Sequence, residues 1–398
     1  MTPFKLTDEL LANIESLIQE QKDKDIQLLL AEVHFADVAE IVNELKTDKA
    51  TYLIKLLDSD KTSDVLTELD EDIREAILAN LSTKEIAEEL DELDTDDAAD
   101  IVAELPDEIV EEVISELEDK EHAKDIVDLL RYDEHSAGGL MAKELVKVRE
   151  NWNVLTCVKE MRAQAENVTR VHSIYVVDDE DKLMGRLSLK DLLTTSTKTF
   201  IKEIYIPKVD SVSVNENPEE VAKIMSKYDL EAIPVVDEIG RLVGRITIDD
   251  IVDVIKEEAE KDYQLAAGIT QGVEADDSIW ELTRARLPWL FLGLLGGIGA
   301  FLIIEGFQEV LEKYKELIFF TPLIAAMAGN VGVQSSAIIV QGLANDDVKG
   351  SINKRLIKEM LLAALNGVIL ALFLFLFVWG YNKDYNMALA ISVSLIVV

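Results

Sequence analysis

Two groups of residues in this chain have types and spacings suited to chemistry. The first is made of carboxylates. DTDDAAD sets Asp96 and Asp100 four residues apart, and DDIVDVIKEEAEKD at 249–262 reads as one helix carrying Asp250, Asp253, Glu257 and Glu258 near one side. Like charges at that spacing cost a few tenths of a kcal/mol per pair, so a helix built this way gains from a bound cation. Where two such surfaces meet at roughly 5 Å, each pair repels by on the order of 3 kcal/mol at an effective dielectric near 20. The second group lies in PLIAAMAGNVGVQSSAII at 322–339, where Asn330, Gln334, Ser335 and Ser336 interrupt an apolar run long enough, with its neighbours, to cross a bilayer. Lipid gives these groups no hydrogen-bond partner, so they face protein, water or a passing solute.

Composition narrows what the carboxylates hold. The 398 residues carry a net charge of −39. Nine basic and eight acidic residues follow Arg284 inclusive, which leaves about −40 on residues 1–283. Such a body repels nucleic acid and attracts cations. The single cysteine, Cys157, excludes an intrachain disulfide or thiolate cluster, and the four histidines at 34, 122, 135 and 172 show no ligand spacing. A metal here is held by oxygen, which suits Mg²⁺ or Ca²⁺ better than zinc.

These groups need elements to position them. Apolar runs at Leu287–Ile304, Leu317–Ala344 and Met360–Tyr381 have the length of spanning helices, and a fourth, Met387–Val398, is too short, so further membrane segments are expected beyond it. Residues 1–30 are polar and charged, unlike a secretory leader, and the flanking Lys/Arg counts favour a cytoplasmic N-terminus in a multi-pass protein of the cell membrane. Residues 5–130 hold short amphipathic helices with polar turns, the pattern of a stacked superhelix. Between them lies a duplication: SIYVVDDEDKLMGRLSLKDLL at 173–193 recurs as AIPVVDEIGRLVGRITIDDIV at 232–252, offset by 59. Each copy reads as strand, turn, strand and helix, preceded by a helical segment at 153–165 or 218–228. Gly185, Ser188 and Asp191, with Gly244, Thr247 and Asp250, resemble the cystathionine-β-synthase (CBS) pair. That resemblance implies contacts from the hydroxyls of Ser188 and Thr247 to phosphate and from Asp191 to ribose, hence ATP or another adenine nucleotide. A helix-capping role accounts for the same residues.

The fold class expected is multidomain: an all-α superhelix at 1–133, α/β CBS modules at 134–199 and 200–252, a connecting helix and linker at 253–283, and an incomplete α-helical membrane domain at 284–398. In that order, and with EHSAGGLM at 134–141 joining superhelix to repeat, the chain resembles the MgtE family of magnesium channels. The resemblance implies a homodimer in lipid whose path is lined by the second and fifth membrane helices, and a helix from about Asp253 to Gly268 that plugs the pore when cytoplasmic Mg²⁺ is high. The pore acid expected on the fifth helix lies beyond Val398. It implies regulatory Mg²⁺ ligands at Asp64, Asp96, Asp100, Gly139 and Ser226 through their carbonyls, Glu219, Asp229, Asp250, Asp253, Glu258 and Asp262. Asn217 and Lys261 depart from that pattern, each standing where a carboxylate is expected.

Mg²⁺ dehydrates reluctantly, so its pore needs acceptors for a hydrated ion. Carbonyls freed by a helix break at Pro322 or Gly329, with the amide oxygens of Asn330 and Gln334, would supply them; helix packing is the competing role for these small and polar residues. No nucleophile–base set, Walker loop or dinucleotide turn is present, so no catalysis is expected. A membrane-anchored nucleotide or ion sensor that signals to a protein partner is the alternative function.

Overall fold

The computed structural model describes residues 4–165, 168, 170–270, 272–273, 277–344 and 352–398. It divides into two compact units, Met1–Ile255 and Lys256–Val398.

The first unit begins with short helices: α1 (Asp8–Gln19), α2 (Asp23–Leu30), α3 (Phe35–Asn43), α4 (Thr47–Ile54), α5 (Ser59–Thr67), α6 (Glu71–Leu78), α7 (Thr83–Leu90), α8 (Thr95–Glu104), α9 (Asp107–Glu116) and α10 (Lys120–Leu129). Their starts are written in the sequence. Asp58 and Asp119 accept backbone N–H bonds at the heads of α5 and α10, and Ser82 with Glu85 forms a reciprocal capping box on α7. Packing skips one helix at a time, α3 on α5, α5 on α7, α7 on α9 and α8 on α10, which winds the helices into the expected superhelix. Ile41, Leu53, Leu66, Ile77, Ile86 and Ile101 fill its core.

The duplication folds as two sheets. In the first, β1 (Val146–Arg149) runs parallel to β2 (Ile174–Val177), which pairs antiparallel with β3 (Leu183–Leu187), and β3 with β4 (Ile206–Pro207). In the second, β5 (Val212–Ser213) runs parallel to β6 (Ala232–Val236), which pairs antiparallel with β7 (Leu242–Thr247). Helices α11 (Val154–Gln164), α12 (Leu189–Thr194) and α13 (Pro218–Tyr228) flank them. The segment leading into each copy is added to the sheet of the other: β4 pairs with β3, and Ala142 bridges Arg245 on β7. This exchange explains the repeated glycine. A Cβ on Gly185 would collide with the Ile206 carbonyl oxygen, and one on Gly244 would lie 2.8 Å from that of Ala142. The EHSAGGLM junction also docks on the second copy, with Gly138 N–H donating to the Val214 carbonyl at 2.8 Å. From the second copy the chain enters α14 (Ile248–Ala266), a single helix of 19 residues.

The second unit holds α15 (Ile279–Glu305), α16 (Gln308–Lys313), α17 (Thr321–Ala344), α18 (Ile352–Asn382) and α19 (Tyr385–Val397). Among the described residues, three helical spans, Ile279–Glu305, Lys315–Ile339 and Leu356–Asn382, are long and apolar enough to cross a membrane. Leu374 and Val378 of α18 pack on Ile391 and Leu395 of α19, while Leu290, Phe291, Leu361 and Phe373 are exposed, as suits lipid. One expectation is corrected. α17 is unbroken through Gly329, and Pro322 sits in its first turn, where a missing N–H breaks no hydrogen bond. No carbonyls are released at either position, so the polar equipment of this segment is its side chains.

Gly185→Ala tests the exchanged sheets. Its Cβ meets rigid backbone, so the variant should lose about 1–3 kcal/mol of stability, read as a lower denaturant midpoint. An unchanged midpoint would mean that β4 is not held against β3.

Candidate metal centre: an acidic seam between the superhelix and the second repeat

Three pieces of backbone converge in the first unit: the start of α8, the loop at Lys143–Glu144, and the start of α14. Their anchor is Thr95, 1% exposed. Its N–H and hydroxyl donate to the Glu144 carboxylate at 3.2 and 2.9 Å, and its Oγ1 accepts from the Lys143 N–H at 2.8 Å. Arg245 on β7 pairs with Asp94 at 3.1 Å and also donates to the Glu144 carbonyl. On α14, Asp250 accepts from the N–H and hydroxyl of Thr247 at 2.9 and 2.7 Å.

Carboxylates crowd this joint. Asp96 is pushed well above the ordinary carboxylate range by desolvation, then by Asp97, Asp250, Asp94 and Glu144. Asp97 is raised to about 7 by desolvation, then by Asp250, Asp100, Asp94 and Asp249. Asp100 also rises to about 7, through desolvation and Glu134, although Arg74 opposes the shift. Desolvation raises Asp250 as well, against the pull of its bonds from Thr247. Asp97 and Asp100 are exposed, so an ion can reach them.

Oxygens of Asp94, Asp96 and Glu144 lie within 4.8 Å of one another, close enough to hold one ion. Two of the three are already engaged, however, Asp94 by Arg245 and Glu144 by Thr95. Asp96, Asp97 and Asp100 extend this acidic group along α8, and Asp250, held by Thr247, faces them from α14. Oxygen-only donors of this kind fit hydrated Mg²⁺.

Of the residues the sequence put forward, Asp96, Asp100 and Asp250 come together here. Asp64 has Asp60 and His34 as its charged neighbours. Gly139 lies where a Cβ would meet the Asp133 carbonyl oxygen at 2.6 Å. Asn217 caps α13 by accepting from the Glu219 N–H at 2.8 Å, and Glu219 pairs with Lys223 at 2.9 Å. Ser226 is in the last turn of that helix, and Asp229 ends it with φ of 51°. Asp253 is exposed on α14. Glu258 and Asp262 belong to the second unit, where Lys261 pairs with Glu258 at 2.9 Å. Asp94, Asp97, Glu144 and Arg245 were missed. Asp94 and Asp97 flank Asp96 within two residues, whereas Glu144 sits in a loop with no periodicity to single it out.

The nucleotide motif differs between copies. Thr247 is buried and its hydroxyl is engaged by Asp250, whereas Ser188 stands at the head of α12 with no capping bond, Asp191 in the turn behind it. In the second unit, Gly329 and Asn330 lie on exposed positions of α17. Gln334 and Ser335 line a groove of about 340 Å³ between α17, α18 and α19, joined there by Glu359 and Asn366. Ser335 donates to Glu359 at 3.4 Å.

Comparison with known proteins agrees with the fold. Residues 33–135 match the MgtE intracellular N domain, 137–197 and 201–257 match CBS domains, and 321–398 match a divalent cation transporter domain. A solved chain described as the cytosolic domain of the Mg²⁺ channel MgtE in complex with ATP is 35% identical, with a TM-score of 0.57, over 61% of this chain and 99% of that one. The chain belongs to the MgtE family. Curated relatives include the magnesium transporters MgtE of Thermus thermophilus, 38% identical over 63% of this chain and 56% of that protein, and of Enterococcus faecalis, 33% identical over 68% and 60%. The chain thus spans a little over half the length of these MgtE relatives. Membership makes it a membrane protein, and α15, α17 and α18 are its long apolar helices.

The seam's charge gives it a pH dependence. A carboxyl whose pKa is raised by folding supports the folded contact when protonated, so its contribution is full below the ordinary carboxylate range and lost as pH rises through about 7. In metal-free buffer, hydrogen-exchange protection factors in α8 should fall between about pH 5 and pH 8, and Mg²⁺ should abolish the fall. Protection independent of pH without metal would contradict the assignment.

Proposed function

We propose that this chain is the greater part of a Mg²⁺-selective channel of the cytoplasmic membrane, a homodimer, that is gated by cytoplasmic Mg²⁺ bound to its superhelix and CBS pair. The observation that carries the reading is the seam. Carboxylates from α8 face Asp250 in the first turn of α14, so repulsion between the two domains is relieved by a divalent ion, and the helix that feels the change is the one that continues along the chain into the second unit. Mg²⁺ is here both regulator and cargo. The ligand set comprises Asp96, Asp100 and Asp250, now joined by Asp97, together with Asp64, Gly139, Glu219, Ser226, Asp229, Asp253, Glu258 and Asp262 as further positions. Lys261, paired with Glu258, supplies a permanent cation where an ion would otherwise sit.

Asn330 and Gln334 supply amide oxygens to the hydrated ion on α17, with Gly329 allowing close approach of a second helix. An adenine nucleotide binds the first CBS module at Ser188 and Asp191, because the equivalent Thr247 and Asp250 are bonded to each other. The solved relative in complex with ATP supports a nucleotide at the pair. The polar midspan of α17 disfavours a plain membrane anchor, and the family is one of transporters and not of enzymes.

Replacing Asp250, Asp253 and Glu258 by Asn, Asn and Gln tests the gate in full-length protein. Neutral amides lose the charge-assisted hold on Mg²⁺ while the remaining carboxylates still repel, so the population moves toward open. A shift of about 1.4 kcal/mol changes the open-to-closed ratio tenfold. Patch recordings with Mg²⁺ titrated on the cytoplasmic face should show inhibition displaced to higher Mg²⁺ at unchanged single-channel conductance, and Asn330→Leu recorded alongside should lose conduction. An unshifted inhibition curve places the regulatory ions elsewhere, and normal conduction by Asn330→Leu returns that residue to helix packing.

A further inference from the structure

The acidic seam contains a basic side chain that the repeat alone does not explain. Arg186 and Arg245 hold the same place in the two copies, each after the glycine of the second strand. Arg186 is exposed, whereas Arg245 is 5% exposed. The difference is the superhelix, which covers the second copy. There Nη2 of Arg245 meets Oδ2 of Asp94 at 3.1 Å, just before α8, and its Nε donates to the Glu144 carbonyl. Asp94, Asp96 and Glu144 are the carboxylates whose oxygens lie within 4.8 Å of one another. A guanidinium therefore sits against the tightest acidic trio among the described residues.

We propose that Arg245 is a built-in cation that sets the Mg²⁺ concentration at which the superhelix closes onto the second CBS module. This rests on the reading of the seam as a Mg²⁺ sensor. Unlike a bound ion, the guanidinium is not lost on dilution, so part of the repulsion across the joint is cancelled before any Mg²⁺ arrives. By mass action, fewer ions are then needed to reach the closed population. Arg245 acts through the carboxylates and their joint; it is a positioning residue and not an ion ligand. Its planar fork bonds one carboxylate and one carbonyl from two different segments, which an ammonium reproduces only in part.

Removing the guanidinium leaves Asp94 at a half-buried interface with one more net negative charge beside it, and breaking one side of such a pair is costly. In full-length protein, with protection of α8 amides or protease cleavage near 130–136 followed against Mg²⁺, Arg245→Leu should raise the midpoint about tenfold or more. Arg245→Lys should fall between the two and serves if the leucine variant does not fold. Combining Arg245→Leu with Asp94→Asn removes both charges and should bring the midpoint back toward wild type, a double-mutant coupling that loss of packing alone does not produce. A wild-type chain with no Mg²⁺ midpoint overturns the sensor reading and this proposal with it. A normal wild-type midpoint that neither Arg245→Leu nor Arg245→Lys moves overturns the role of Arg245 alone, and so does a shifted single variant that Asp94→Asn leaves uncorrected.

Discussion

Repulsion among crowded carboxylates is the constraint on which this structure turns. The superhelix and the second CBS module each bring acid to the same joint, and the partial burial of Asp96 and Asp250, with Asp97 and Asp100 close by, raises the cost of keeping them ionised together. Apolar packing fixes the geometry of each domain, but it does not remove that charge. The joint is satisfied by protons, by a fixed cation or by a mobile one. At neutral pH the first is incomplete and Arg245 supplies the second in part, which leaves room for a divalent ion. In the proposed function, the same repulsion that makes the contact unstable alone makes it responsive to ion concentration.

The duplication shows how a symmetric sequence yields an asymmetric site. Both copies carry strand, glycine, arginine, hydroxyl and aspartate in the same register, and both exchange their leading segments across the glycine. Only the second copy is capped by the superhelix. Its arginine is buried and its hydroxyl and aspartate bind each other, while in the first copy Arg186 is exposed and Ser188 caps nothing. One repeat has become a joint, and the other leaves its arginine and its serine hydroxyl uncovered.

The sequence discloses what is periodic or repeated. Helix positions, the CBS duplication, the single helix across 249–262 and the three long apolar spans all follow from spacing, because a period of two or of 3.6 is a local property. Asp96, Asp100 and Asp250 stood out for the same reason. Glu144 and Arg245 did not, since their importance arises from contacts across 49 and 151 residues of chain. Glu359 was passed over because its partner Ser335 lies on another helix. The expected break in α17 failed because proline in a first turn costs no hydrogen bond and a single glycine costs a helix interior only about 1 kcal/mol, too little to interrupt 24 residues of helix.

In the proposed function, the seam binds a divalent ion through Asp96, Asp97, Asp100 and Asp250. Crystals of the full-length protein grown with Mn²⁺ in place of Mg²⁺ test it most directly, because anomalous scattering locates the ion without assumptions about affinity. Anomalous density within coordination distance of Asp96 or Asp97 and of Asp100 or Asp250, while the Arg245–Asp94 pair stays intact, is the predicted result. A closed seam with no anomalous density at those carboxylates, or density that replaces Arg245 between Asp94 and Glu144, would contradict it.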